Sequence, residues 1–178
     1  MQVITISGKA RHGKDSAAEF ISDYLTYYHY SSVIVHYADF LKFILKEYYH
    51  WDGNKNEEGR HLLQHIGTDI VREKNPDFWV TILDQLISVL FSHVNYIIIP
   101  DARFPNEITH WIEKENLAAA IKVIRPEQEI KDQLTEAAKQ HESETALDDY
   151  PFNYTIEAET LDELRIAIST VMDEVTKC

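Results

Sequence analysis

The sequence predicts a three-layer α/β fold with a five-stranded, mainly parallel sheet. Five short apolar runs have the length of buried strands, and they lie at residues 2–7, 33–37, 96–100, 119–124 and 153–157. Segments with the apolar spacing of helices separate these runs. Strands that alternate with helices favour right-handed crossovers and a parallel sheet that is covered on both faces. At 178 residues, we expect the chain to form a single domain over residues 1–178.

The helices follow from apolar side chains that repeat every three or four residues. This spacing occurs over residues 17–28, 41–48, 62–71, 78–90 and 161–175. Thr160 and Glu163 stand at the two positions of a capping box, which predicts that the last helix begins there. Residues 52–59 are polar and contain two glycines, which predicts a mobile loop.

The composition argues against several classes of protein. The net charge of −13 disfavours a protein that binds nucleic acid polymers. Cys178 is the only cysteine, so there is no disulfide framework and no cysteine zinc site. Since no apolar run has transmembrane length and the chain starts with a strand, we expect a cytoplasmic protein without membrane contact.

The acidic charge is unevenly distributed. Residues 126–178 hold 14 acidic and 4 basic side chains, whereas residues 1–125 hold 16 acidic and 13 basic ones. The bases that could hold phosphate are therefore concentrated in the first two-thirds of the chain. A few converging cations can bind a small anion even on an acidic surface.

A glycine-bounded loop lies between the first strand and the first helix. It fits the pattern Gly-x-x-x-x-Gly-Lys and consists of Gly8, Lys9, Ala10, Arg11, His12, Gly13 and Lys14, followed by Asp15 and Ser16. The backbone N–H groups of such a loop and the new helix N-terminus bind phosphate, and the lysine reaches the outer phosphates of a nucleoside triphosphate. The loop therefore predicts a P-loop NTPase fold. Asp15 departs from the usual pattern, which has Ser or Thr at this position to bind magnesium.

A second polar cluster ends the strand at residues 96–100. Asp101 follows the strand directly, and Arg103 comes two residues later. An aspartate beside a P-loop can hold Mg²⁺, and an arginine there can clamp a phosphoryl group. The alternative is that Asp101 caps the next helix and that Arg103 forms a surface ion pair.

The segment after the second strand is where P-loop kinases bind the acceptor. Asp39 and Lys42 lie here, and Asp39 is a candidate to contact a sugar hydroxyl or another acceptor group. Asp39 is equally suited to be a helix N-cap, and the two roles are compatible.

Two arginines bracket the predicted helix at residues 62–71. Arg60 and Arg72 are 12 residues apart, which places them near one face of an unbroken helix, with Gln64 between them. Arg72 is the better candidate for the acceptor phosphate. We expect Trp79 to be a core residue rather than one that stacks on a base.

The fourth strand ends at Arg125, which could reach the transferring phosphate. Residues 126–150 follow, and they are polar, charged and poor in large apolar side chains. This segment fits a lid that closes over the phosphates and excludes water, or a plain surface excursion.

These motifs, in this order, resemble the deoxynucleoside monophosphate kinases of bacteriophage type. That family has a G-K-x-R-x-G-K-D-[ST] loop, which residues 8–16 match. It also has an R-x-L-x-Q-x-x-G-T-D stretch, a later helical tryptophan, an I-x-P-D-x-R strand end and a V-x-R-P stretch. The corresponding residues here are 60–69, Trp79, 98–103 and 123–126.

The resemblance implies an adenylate-kinase-like fold and transfer of the ATP γ-phosphoryl group to a deoxynucleoside monophosphate. It implies that Lys14 and the loop amides hold the donor phosphates, and that Asp15 or Ser16 orders Mg²⁺ together with Asp101. Arg72, Arg103 and Arg125 become the phosphate clamps. It further implies small-molecule nucleotides as partners, a homodimer, and the host cytoplasm as location if a phage encodes the protein.

Two other functions remain open from the sequence. One is a P-loop kinase for another small phosphorylated acceptor, of the phosphomevalonate kind. Such an acceptor needs no aromatic or apolar slot, whereas a nucleobase does. The other is a nucleotide-binding module without turnover, which the acidic residue at position 15 would suit.

Overall fold

The computed structural model describes residues 1–126 and 140–177. Its five strands are Gln2–Ser7 (β1), Ser32–Ile34 (β2), Tyr96–Ile99 (β3), Leu117–Ile124 (β4) and Tyr154–Glu157 (β5). They form one sheet in the order β2-β3-β1-β4-β5, and every neighbouring pair is parallel. The predicted five-stranded α/β fold is confirmed.

Helices cover both faces of the sheet. The α-helices are Lys14–Tyr27 (α1), Ala38–Tyr49 (α2), Glu57–Gln64 (α3), Phe78–Leu90 (α4), Asn106–Glu113 (α5), Glu142–Thr145 (α6) and Leu161–Val175 (α7). A π-helix, His65–Arg72, continues directly from α3. Helices α5, with eight residues, and α6, with four, lie outside the segments in which the sequence predicts helices.

The core lies in two layers because the side chains of β1 alternate between the two faces of the sheet. Val3 packs on the face covered by α2, α4 and α5, and Trp111 of α5 is completely buried there. Ile4 and Ile6 pack on the opposite face against α1 and α7. β1 is the central strand, between β3 and β4, and helices cover both faces of the sheet. Residues 3–7 are therefore all buried, and the strand is mostly apolar.

The parallel arrangement gathers the carboxyl ends of the strands at one edge. The chain leaves β1 there into residues 8–13, leaves β3 into residues 100–105, and leaves β2 into residues 35–37. Ligands of open α/β sheets bind in the crevice at this edge, where neighbouring crossovers diverge. The motifs predicted from the sequence therefore lie at the expected edge.

Residues 52–59 differ from the predicted loop because their second half is helical. α3 begins at Glu57, and the side chain of Asn56 accepts a hydrogen bond from the N–H of Gly59 at 2.9 Å. An asparagine N-cap followed by two glutamates in the first turn stabilises a helix start. At the other end of the chain, the predicted capping box of Thr160 and Glu163 is confirmed.

Candidate active site

A cavity of about 560 Å³ opens at the carboxyl edge of the sheet. It runs from the glycine-bounded loop at one end to α3 and the π-helix at the other. The sequence-predicted residues that line it are Ala10, Arg11, Lys14, Asp15, Lys42, Arg60, Gln64, Arg72, Trp79, Asp101 and Arg103. The fold thus brings most of the predicted donor and acceptor residues into one space.

The glycine-bounded loop packs tightly against β4. Gly8 has a φ of +152°, and a Cβ at this position would lie 2.3 Å from the carbonyl oxygen of Val123. No other residue fits there without moving the backbone of β4. The loop is therefore held close to the sheet, and its direction into α1 is set.

Lys14 is the first residue of α1 and folds back over the loop. Its ammonium donates hydrogen bonds to the carbonyl oxygens of Gly8 and Lys9, both at 2.8 Å. Burial, and then the nearby positive charge of Arg103, lower the pKa of Lys14 to about 8. A phosphate anion in the cavity would favour the charged form of this lysine.

Asp15 and Asp39 flank His36 at the mouth of the cavity. The His36 ring nitrogens lie 3.6 Å from an Asp15 oxygen and 3.3 Å from an Asp39 oxygen. Asp39 also pairs with Lys42 at 2.9 Å. The alternative role of Asp39 as an N-cap is wrong, because Asp39 is the second residue of α2 and a different carboxylate caps that helix.

That carboxylate belongs to Asp101. Its two oxygens accept hydrogen bonds from the backbone N–H groups of Tyr37 and Ala38, at 2.9 and 3.0 Å. Asp101 therefore stabilises the start of α2, 64 residues away, and not the helix that follows it in the chain. Asp101 also lines the cavity. Each of its carboxylate oxygens keeps a lone pair after accepting one hydrogen bond, so the side chain can still bind a ligand there.

Glu107 joins the two arginines proposed to bind phosphate. One of its oxygens pairs with the guanidinium of Arg72. The other accepts the backbone N–H groups of Arg103 at 2.6 Å and Phe104 at 3.1 Å. Burial raises the pKa of Glu107 to about 7, while Arg72 and the two N–H groups limit the rise.

The guanidinium of Arg72 has further contacts that fix its plane. It lies 4.0 Å from the centroid of the Phe104 ring and donates to the carbonyl oxygen of Pro76 at 3.0 Å. Its side chain is only 10% exposed. Arg72 is thus held at the cavity wall before any ligand binds.

The second half of the predicted lid, at residues 142–148, reaches back to the glycine-bounded loop and to Arg103. The guanidinium of Arg103 pairs with Glu144 and donates to the carbonyl oxygen of Ser143 at 3.0 Å. The ammonium of Lys9 pairs with Asp148 at 2.8 Å. Helix α6 is thereby tied to the donor end of the cavity, whereas residues 127–139 of the predicted lid lie outside the described residues.

The far end of the cavity is an apolar slot. Leu41, Leu63 and Trp79 line it, with Arg60 and Gln64 at its polar side. Trp79 is 4% exposed and donates from its indole nitrogen to the carbonyl oxygen of Gly67 at 2.9 Å, so its prediction as a core residue is confirmed. Arg60 and Arg72 both line the cavity, but the helix between them is not an unbroken α-helix, because α3 ends at Gln64 and a π-helix continues to Arg72.

Seven predicted residues are absent from the lining of this cavity: Gly8, Lys9, His12, Gly13, Ser16, Asp39 and Arg125. Gly8, Lys9 and His12 instead line a second cavity of about 240 Å³, between the glycine-bounded loop and residues 143–148. The side chain of Arg125 is exposed, and its backbone N–H donates to His12 Nδ1 at 3.3 Å. Ser16 lies half-buried in the first turn of α1 without lining the cavity.

The sequence analysis gave no role to Glu107, Glu144, His36 or Phe104. Of these residues, only Glu107 has a signal in the sequence, because it follows Arg103 by four residues, which is about one helical turn. Its burial and its pairing with Arg72 depend on the tertiary structure bringing the start of α5 to the end of the π-helix, which no local pattern predicts.

No helix in residues 1–126 and 140–177 combines the length and apolarity needed to cross a bilayer. In the same residues, no group of three His, Cys, Asp or Glu side chains could hold a metal ion without other ligands.

Comparison with known proteins gives a family and several similar solved structures. No curated protein matches the chain. The APS kinase CysC of Mycobacterium tuberculosis, in complex with AMPPNP and APS, is similar over 97% of this chain and 97% of its own, with 11% identity and a TM-score of 0.47. The family model described as deoxynucleotide monophosphate kinase matches residues 36–150, which extend from the end of β2 past α6. The chain belongs to the deoxynucleotide monophosphate kinase family.

Proposed function

We propose that this protein transfers the γ-phosphoryl group of ATP to a deoxynucleoside monophosphate, giving the diphosphate and ADP. The observation that carries the proposal is the single cavity, which joins the P-loop lysine to an arginine-flanked apolar slot. Phosphoryl transfer needs positioning and charge stabilisation rather than covalent chemistry by the protein. The cavity brings Lys14, Arg72 and Arg103 into one space, which meets the need for charge stabilisation.

The donor phosphates bind at the loop of residues 8–16 in this proposal. The free N–H groups at the start of α1 and the Lys14 ammonium supply the positive charge. Arg103 lies close enough to Lys14 to lower its pKa, so the two cations converge on one volume. This volume is where the transferring phosphoryl group would lie, and Arg125 would have to move to reach it.

The acceptor phosphate binds at Arg72, with Arg60 and Lys42 nearby in the same cavity. Arg72 is already oriented by Glu107 and by the Phe104 ring. The base of the nucleotide enters the slot formed by Leu41, Leu63 and Trp79. Gln64 supplies a polar group beside it, and Asp39 lies near the start of α2 for the sugar.

The oxygen donors at the donor end fit Mg²⁺. Magnesium prefers oxygen ligands and binds proteins through one or two carboxylates together with phosphates and water. Asp15, Ser16 and Asp101 are the residues that would hold it, directly or through water. When bound, the ion neutralises charge on the phosphates that react.

The two alternative functions fit the cavity less well. A phosphomevalonate-like acceptor has no use for a slot lined by Trp79 and two leucines. A binding module without turnover has no need for Lys14, Asp101 and Arg103 to converge. These features favour a nucleotide acceptor and a working kinase.

The direct test is a coupled ADP-release assay with ATP, Mg²⁺ and each ribo- and deoxyribonucleoside monophosphate in turn. We expect turnover with one or more deoxynucleotides, and the Lys14→Ala variant to lose about 100-fold or more of kcat. Lys177→Ala is the matched control, because Lys177 is an exposed lysine at the far end of α7. ATP binding without turnover on any nucleotide would contradict the proposal.

The remaining features of this proposal concern the whole chain. Residues 1–178 act as one kinase domain, with the acceptor region at about 38–80 and the lid at about 126–150. The enzyme works as a homodimer in the cytoplasm, which is the host cytoplasm if a bacteriophage encodes it.

A further inference from the structure

Glu107 is the one completely buried carboxylate beside the cavity in the part of the chain that the structure describes, with 2% of its surface exposed. A buried charge is costly unless charged or polar partners surround it. Glu107 has three such partners: the guanidinium of Arg72 and the backbone N–H groups of Arg103 and Phe104. These contacts hold the Glu107 carboxylate in place from the π-helix and from the loop after β3.

The partners of Glu107 come from two separate elements. Arg72 ends the π-helix, and Arg103 lies in the loop after β3. Among the described residues, Glu107 is the side chain that bonds both to the Arg72 guanidinium and to the Arg103 backbone. Its two oxygens thus set the distance between Arg72, the proposed ligand of the acceptor phosphate, and the segment that carries Arg103, the proposed ligand of the transferring phosphoryl group.

The other contacts of Arg72 are weaker than its charge pair with Glu107. The guanidinium donates to the carbonyl oxygen of Pro76 at 3.0 Å and to Asn106 Oδ1 at 3.5 Å, and it lies over the ring of Phe104, which belongs to the same loop as Arg103. Without Glu107, the guanidinium would lose its one ionic partner among the described residues, and the loop at residues 101–105 would lose two hydrogen bonds. A misplacement of about 1 Å can cost about 100-fold in rate when two groups must be aligned.

We propose that Glu107 is a positioning residue for phosphoryl transfer, which orients Arg72 toward the acceptor phosphate and aligns the Arg103 loop with it. This inference rests on the proposed function. It predicts that loss of the Glu107 carboxylate weakens use of the deoxynucleotide and leaves ATP binding nearly unchanged, because Lys14 and the glycine loop do not contact Glu107.

The experiment measures kcat and KM for the deoxynucleotide, and the Kd for ATP, in wild type, Glu107→Gln, Arg72→Ala and the double variant. We expect Glu107→Gln to lower kcat/KM for the deoxynucleotide about 10- to 100-fold. We expect the ATP Kd to change by less than about threefold. The double variant should be no worse than Arg72→Ala alone, because residues that act through one another have non-additive effects.

Two further variants separate positioning from folding. Glu107→Asp keeps the charge but is one methylene too short to reach Arg72 and both N–H groups, so it should fold and show the same selective loss. Glu113→Gln is the matched control, an exposed glutamate at the end of the same helix, and should behave as wild type.

Three results would overturn the inference. They are wild-type kinetics in both Glu107 variants, an effect fully additive with Arg72→Ala, or an equal weakening of ATP and deoxynucleotide. A wild-type protein that turns over no deoxynucleotide would overturn the proposed function, and this inference with it. Normal wild-type turnover with unaffected Glu107 variants would overturn the inference alone.

Discussion

Lys14 shows how the surroundings of one side chain set its chemistry. The ammonium is held by two loop carbonyls, partly removed from water and placed near Arg103. Burial and a like charge both disfavour the cation, so the proton is held more weakly than on a lysine in solution. In the proposed function, the donor phosphates reverse that balance and draw the proton back.

This gives a pH prediction for ATP binding. Because the pKa of Lys14 in the free protein is about 8, the cation is present below pH 8 and is lost above it. Binding of a polyphosphate favours the cation, so affinity should fall by up to about tenfold per pH unit above pH 8. An ordinary lysine would show no fall until about pH 10.4.

Calorimetric titration with a non-hydrolysable ATP analogue between pH 7 and 9.5 measures this effect. Proton uptake should appear in buffers of different ionisation enthalpy. The Lys14→Arg variant is the control, because arginine stays charged over the whole range. A flat profile in the wild type would show that Lys14 does not bind the phosphates.

At the scale of elements, the π-helix shapes the acceptor end of the cavity. It extends α3 with a wider turn, and both Arg60 before it and Arg72 at its end line the cavity. Within it, Gly67 lies against α2, and its carbonyl accepts the indole N–H of Trp79. Short π-helical segments occur often at functional sites, where they change the direction of side chains.

We expect Gly67→Ala to narrow the slot. A Cβ at this position would lie 2.6 Å from Cδ2 of Leu41, which would have to move. Overpacking of this kind costs about 1–3 kcal/mol. The KM for the deoxynucleotide should rise while the KM for ATP stays constant. Steady-state kinetics and thermal melts of the same samples provide the readout, and a KM that is unchanged for both substrates would contradict the placement of the base in this slot.

At the scale of the molecule, the sheet order brings remote segments to one edge. β1 lies in the middle, so the loop after it is flanked by the ends of β3 and β4. α2 and the π-helix cover one side of this edge, and α6 reaches it through the contacts of Glu144 with Lys9 and Arg103. Donor and acceptor ends thus share one cavity but are built by different parts of the chain.

Each ligand should therefore stabilise the fold through its own end. A ligand at 100 times its Kd adds about 2.7 kcal/mol to the free energy of unfolding. We expect Lys14→Ala to lose the stabilisation by an ATP analogue and to keep that by the deoxynucleotide. Arg60→Ala should show the reverse, with the exposed Arg165→Ala as control. Thermal shift measurements test this prediction. If both variants lost the stabilisation by both ligands equally, the donor and acceptor ends of the cavity would not be separate binding sites.

The sequence by itself determined the features that arise within a few residues of one another. The strand runs, the glycine loop ahead of Lys14 and the capping box at Thr160 are local patterns, because backbone geometry and capping act over one turn or one strand. Only the tertiary structure decided that Asp101 caps α2, 64 residues away, or that Glu107 pairs with Arg72, 35 residues away. Such contacts depend on which elements the sheet order places side by side, and the spacing of residues along the chain carries no record of that order.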